Sequence, residues 1–317
     1  MKKYEILGYN DTRSGFGEGL LEAGKEDERI VALCADLTES VKMTDFKNAF
    51  PERFFQVGIS EANMVGIASG LALSGKIPFC GSFAAFATGR VYDQIRQSIA
   101  YSKTNVKICG SHSGVTLGED GATHQILEDI GLMKMLPDMV VINPCDYNQT
   151  LQATKAAAKY VGGVYLRFGR PKVPIFMDKD MPFEIGKAII LNEGKDVSIF
   201  ATGHLVWEAI LACEELEKEG ISAEIINIHT IKPLDEKAVL SSVKKTRCVV
   251  SCEEHQFNGG LSDSIAQVLA RNYPLPMEYV GVDDCFGESG KPEELMQEFH
   301  LKSRDIVLAA KKAISRK

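Results

Sequence analysis

The 317-residue chain has no Cys-x-x-Cys pair, no basic tail, no G-x-S-x-G and no apolar run longer than a single strand. Each absence removes a class of protein. Without paired spacing, its 8 cysteines make neither a disulfide scaffold nor a zinc ribbon. Cys34, Cys80 and Cys109 stand singly among apolar neighbours and read as core filling in a reducing, cytoplasmic setting. Cys248 and Cys252 with His255 fall one ligand short of a zinc site, and His255 reads as a polar loop residue. Runs such as Met139–Ile142 suit buried strands and are too short to cross a bilayer. The opening Met1-Lys2-Lys3-Tyr4-Glu5-Ile6 lacks the apolar stretch of a secretory signal. Lys plus Arg number 36 against 43 Asp plus Glu, a formal charge of -7, which disfavours a nucleic-acid binder and leaves small anionic ligands open. The missing G-x-S-x-G removes the esterase elbow. Two glycine-rich strings are look-alikes. Gly15-Phe16-Gly17-Glu18-Gly19 has no strong strand before it and lies in a helix-like stretch, so it is not a dinucleotide loop. Gly118-Glu119-Asp120-Gly121 with Asn143 is too tightly spaced for a metal–diphosphate motif.

What is present is an alternation of short apolar strands with helix-like stretches, the pattern of α/β layers around a mostly parallel sheet. Strands are expected at Ile30–Ala35, Ile77–Cys80, Val106–Gly110, Met139–Ile142 and Gly163–Leu166. Helices are expected at Asp11–Ala23 (stopped by Gly24), Glu61–Ser74, His124–Met135 and Tyr147–Tyr160 (capped by Asp146), with one more ending near Ala100. Gly169, Pro171, Pro174 and Pro182 interrupt the periodicity. The expected division is therefore a first domain at 1–172, a linker at 173–185 and a smaller α/β domain at 186–317. That second part has strands at Val197–Ala201, Ala223–Ile228 and Cys248–Ser251, with helices at Leu205–Glu219, Asp235–Val243 and Leu261–Ala270.

Three segments of the first domain carry unusual chemistry. Glu61 opens a helix of small residues (Ala62, Gly66, Ala68, Ser69, Gly70), where it either caps the helix or holds a proton beside a ring nitrogen. Phe83 and Phe86 follow a strand end, as core or as a platform for a flat heterocycle. His112, Asp120 and His124 share one Gly-rich polar loop suited to handling hydroxyl groups.

The order of these segments closely resembles the C-terminal half of transketolase, over essentially the whole chain. The resemblance rests on Ala35-Asp36-Leu37-Thr38, Glu61, Gly81-Ser82-Phe83 with Phe86, and the string Gly118-Glu119-Asp120-Gly121-Ala122-Thr123-His124-Gln125. It implies a thiamine-diphosphate-binding fold: a pyrimidine-binding domain followed by the transketolase C-terminal domain. By the same resemblance Glu61 contacts N1′ of the cofactor's aminopyrimidine, Phe83 and Phe86 wall that ring, and Asp36 lies near the cofactor and the subunit contact. His124 meets a substrate hydroxyl and Asp120 reads the donor's C2 hydroxyl. Arg13, Ser40, His112 and Arg167 grip the substrate phosphate, with Arg170 as an alternative to Arg167. The family's N-terminal domain, which holds the diphosphate and a divalent metal such as Mg2+, has no counterpart here. A separate N-terminal-type subunit is therefore implied, in an assembly of two plus two chains inactive without it. The implied reaction moves a two-carbon glycolaldehyde unit from a ketose phosphate to an aldose phosphate. Two departures stand out: Gly89 where many relatives have tyrosine, and Ser60 and Ala62 around Glu61 where many have basic residues. Alternatives are the beta subunit of a 2-oxo acid or acetoin dehydrogenase, which the paired histidines disfavour, and a non-catalytic homologue, which Glu61, Asp120 and His124 disfavour.

Overall fold

A computed structural model describes residues 3–317. Seven strands build the larger sheet, in spatial order Thr230–Lys232, Val140–Ile142, Val164–Arg167, Lys107–Ser111, Ile77–Phe83, Ile30–Cys34 and Phe54–Gln56. Every neighbouring pair is parallel except the first. The central strands are apolar on both faces because both faces are covered. On one face Phe16, Leu20, Phe46, Ala153 and Ala157 pack against Ile30, Ala32 and Val164. On the other, Met64, Val65, Ile95, Ile99 and Ile130 pack against Val31, Leu33 and Ile108.

The chain leaves Ile30–Cys34 for the neighbour on one side and returns to the neighbour on the other, Ile77–Phe83. That reversal opens a crevice at the carboxyl ends of these strands, the usual ligand position in open α/β sheets. A smaller sheet follows, in order Met277–Val282, Val249–Gln256, Val197–Ala201, Ala223–Asn227 and Ile189–Asn192.

Several expectations need correction. His124 does not begin a helix: residues 121–128 are turn, bend and irregular chain, and the helix is Asp129–Met135. Gln125 holds those turns by donating to the carbonyls of Val115, Gly118 and Glu288. Gly24 does not end the first helix, which spans Thr12–Glu26; Asp11 caps it, accepting from the Ser14 N–H at 2.9 Å. His255 is not a loop residue. It lies in Val249–Gln256, fully buried, with Gly131 N–H donating to its Nε2 at 3.3 Å. Lys172–Ile175, which straddles the expected start of the linker at 173, is a strand paired antiparallel with Gly8–Asp11. Thr230–Lys232, assigned by sequence to the second domain, extends the first domain's sheet instead.

The glycines of the dinucleotide look-alike have a packing role. The helix Thr12–Glu26 lies so close to Tyr147–Lys159 that a Cβ on Gly19 would sit 2.8 Å from the Leu151 carbonyl oxygen and 2.9 Å from the Thr154 Cβ. Alanine is the better helix former by about 1 kcal/mol, yet here it collides with backbone. Gly19→Ala is expected to destabilise the fold by about 2 kcal/mol, seen as a fall in melting temperature rather than the rise that helix propensity alone gives.

Candidate active site

Glu61, Phe83, Phe86, His112, His124, Arg13 and Ser40 converge at the crevice in an unbroken series of contacts. Glu61 is the first residue of the helix Glu61–Leu73 and is 4% exposed. Both its oxygens accept from Nη1 of Arg90, each at 3.1 Å. The Arg90 guanidinium lies over the Phe86 ring, 4.0 Å from its centre. Phe86 sits in a π-helical turn, Ala85–Gly89, an irregularity common at functional sites. Its ring is nearly parallel to that of Phe83, with centres 5.9 Å apart, and both rings meet His124 edge-on. Phe83 in turn stacks on His112 at 3.8 Å.

His112 joins the aromatic group to a cationic one. Its Nε2 lies 3.2 Å from Nη1 of Arg13. A guanidinium only donates, so Nε2 accepts, and the proton resides on Nδ1, which donates to the Ser111 hydroxyl at 2.7 Å. Burial, reinforced by Arg13, Arg170 and Lys42, pushes the imidazole down to about 3, so it is neutral at physiological pH. Arg13 also donates to the carbonyls of Ser40 at 3.0 Å and Arg170 at 3.2 Å. The Arg170 side chain donates to the Leu117 carbonyl at 2.7 Å and reaches Glu119 at 3.2 Å.

Two strand ends use left-handed backbone at non-glycine residues, Asp36 (φ 60°) and His112 (φ 57°), a conformation that costs energy and concentrates at functional sites. Asp36 is exposed, and its N–H donates to the side chain of Gln56 at 2.7 Å. Asp120 is exposed on the turn that leads to His124.

Arg167 does not join this group. It is 2% exposed; its Nε donates to Asp129 at 2.7 Å and its Nη2 to the Glu254 carbonyl at 2.9 Å. Of the two arginines three residues apart, Arg170 is the one that reaches the crevice, because Arg167 points from its strand into the core. Sequence reasoning also missed Arg90. Its signal was the spacing: four residues after Phe86, it falls one turn along the same face.

The residues fit an aminopyrimidine ring. The buried Glu61 carboxylate is joined to the Phe86 plane through the flat Arg90 guanidinium, and the backbone at Gly89 is open, since a Cβ there would touch only Ile126, at 3.5 Å. Among the described residues, no group of three or more His, Cys, Asp or Glu is placed to hold a metal ion. Residues 9–175 match the model of the transketolase pyrimidine-binding domain, and residues 186–306 that of the transketolase C-terminal domain.

The chain belongs to the transketolase family.

Within it, the chain is 46% identical to a 6-deoxy-6-sulfo-D-fructose transketolase subunit of Clostridium sp. strain MSTE9, covering 96% of this chain and 95% of the relative. It is 36% identical to an apulose-4-phosphate transketolase subunit of Phocaeicola vulgatus, covering 94% and 96%. A solved structure described as a split gene transketolase, inactive beta4 tetramer, superposes with a TM-score of 0.92 at 46% identity over 97% of this chain and 99% of the other. The chain is thus a transketolase-family member of the kind that forms the C-terminal section of a split enzyme.

The neutral His112 has a consequence for acid stability. Its folded-state pKa lies below the ordinary 6.5. As pH falls through 6.5 the unfolded chain takes up a proton that the folded one refuses, so stability drops towards pH 3. His112→Gln is expected to remove about 2 kcal/mol of that decline between pH 6.5 and 4.5. Urea unfolding at the two pH values measures it: the gap between them should narrow in the variant.

Proposed function

We propose that this chain is the pyrimidine-side subunit of a two-chain transketolase that moves a two-carbon glycolaldehyde unit from a ketose phosphate to an aldose phosphate. The observation that carries the proposal is the single crevice in which Glu61, the Phe83–Phe86 pair and the Arg13–Arg170 cluster meet. Thiamine diphosphate, when bound, supplies the nucleophilic carbon and the electron sink for cleaving and forming the carbon–carbon bond. Glu61 holds the proton at N1′ of its aminopyrimidine, and Phe83 and Phe86 bound that ring, with Asp36 at the neighbouring strand end. His124 and Asp120 orient the donor's hydroxyl groups.

Arg13 and Arg170 take the substrate's anionic end with paired N–H donors, the strength of guanidinium in such a role. His112 and Ser40 act through Arg13, each fixing it by accepting one of its N–H groups. The two relatives named for a sulfo sugar and a sugar phosphate share an anionic substrate end, which supports a charge-reading cluster over one tuned to a particular sugar.

The partner is a separate N-terminal-type subunit that supplies the diphosphate and Mg2+ contacts, in an assembly of two plus two chains. Support comes from the surface next to Glu61. Ile59, just before the helix, and Ala62, Gly66, Gly70 and Leu73 along it are exposed, and a Cβ on Gly66 or Gly70 would meet nothing within 4 Å. Such a face suits close approach by another chain. The inactive tetramer of a similar chain fits a protein that needs that partner.

Glu61→Gln tests the core of the proposal. Mixed with its partner, the variant is expected to keep the mass of the assembly and lose at least about 100-fold in turnover; full turnover would refute the role. Arg170→Ala is expected to raise KM for phosphorylated donors by about 10–100-fold with a smaller change in kcat. Steady-state kinetics with phosphorylated and unphosphorylated donors checks it, the effect vanishing for the latter.

A further inference from the structure

The position of Arg90 gives it a role in this site beyond those described. Its guanidinium covers the Phe86 ring at 4.0 Å and donates to both oxygens of Glu61 at 3.1 Å. Glu61 is buried, while Arg90 is half exposed. A flat, nitrogen-rich cation therefore lies between the carboxylate and the aromatic plane. That is the place the proposed function gives to the aminopyrimidine ring, on which this inference rests. The two groups are chemically alike. Guanidinium and an aminopyrimidine protonated at N1′ each have an N–C–N plane, in-plane N–H donors and a face that stacks on phenylalanine.

Burial explains why such a residue is needed. A carboxylate at 4% exposure carries a large desolvation cost unless it is paired. Glu61 must be satisfied before any cofactor arrives, and Arg90 satisfies it from an arm that reaches in from solvent. We propose that Arg90 is a positioning residue: it keeps the Glu61 carboxylate aimed into the crevice while the pyrimidine subsite is empty, and the incoming ring displaces it. Cofactor affinity is then set partly by the cost of moving the arginine aside.

The test uses the full-length chain and thiamine as the probe, titrated by ligand-observed saturation-transfer NMR. Arg90→Ala is expected to bind thiamine about tenfold more tightly than the unmodified chain, with Arg90→Lys between them. Millimolar methylguanidinium, which re-supplies the missing group, is expected to weaken thiamine binding to Arg90→Ala and leave the unmodified chain unaffected. A merely structural arginine would not produce that rescue. Equal or weaker binding by Arg90→Ala, including no binding by either chain, overturns the proposal, as does indifference to methylguanidinium. Should Arg90→Ala unfold, Arg90→Lys carries the test, and an affinity no higher than that of the unmodified chain overturns it. The double variant Arg90→Ala, Glu61→Gln separates the two levels. If it keeps the whole gain, Glu61 does not hold the ring and the functional proposal fails too. If Arg90→Ala shows no gain while Glu61→Gln still abolishes turnover in the assembly, only the role of Arg90 fails.

Discussion

A buried knot of charge at the junction of the two domains underlies the site. Arg167 and Asp129 pair at 2.7 Å with 2% and 0% side-chain exposure, and Tyr165 donates to the same carboxylate oxygen at 2.5 Å. Arg167 continues to the backbone of Glu254, whose carboxylate accepts from the Thr116 N–H at 2.7 Å and faces His204 at 3.5 Å. Burial alone would raise the Glu254 pKa; His204, Arg167 and the Thr116 N–H outweigh it and hold the group below the usual carboxylate range. One cluster thus ties the strand Val164–Arg167, the helix Asp129–Met135, the second domain's strand and the loop that starts at His112. Losing one partner from such a knot typically costs about 3–5 kcal/mol, because the other charge stays buried.

The knot explains how a polar, largely buried loop keeps its shape. Residues 111–125 have little regular structure, and a free loop would place His112 and His124 loosely. Glu254 pins one end at Thr116, and Gln125 pins the other by its three carbonyl contacts. The second domain, which contributes no side chain to the contact series from Glu61 to Arg13, acts on the site by fixing that loop.

Much of this was legible in the sequence, and the exceptions have physical causes. Apolar runs bounded by glycine or by a capping aspartate located the parallel strands and the helices begun by Asp11 and Asp146, because burial on both faces and capping are local properties. The helix expected from His124 failed because side-chain bonds from Gln125 to distant carbonyls outweigh helical periodicity over residues 121–128. His255 read as a polar loop residue, yet its strand is paired on both sides, and the Gly131 N–H satisfies it from a different domain. Thr230–Lys232 could not be assigned to its sheet from sequence, since a three-residue edge strand has no periodicity of its own. Arg167 and Arg170 are equivalent as residue types. Only the strand's alternation and the location of Asp129 decide which one turns inward.

Glu61 links these levels. Its place at a helix start is a sequence property, its burial a packing property and its pairing with Arg90 a tertiary one. The same helix carries the exposed face from Ala62 to Leu73, and Arg90, bound to its first residue, is half exposed. A chain that covered Arg90 as well would strip water from the ion pair and strengthen the hold of Arg90 on Glu61, unless another planar donor already occupied the carboxylate. Assembly and cofactor entry would then be coupled: a cofactor that arrived first would compete with a water-weakened ion pair, and one that arrived later with a dry one.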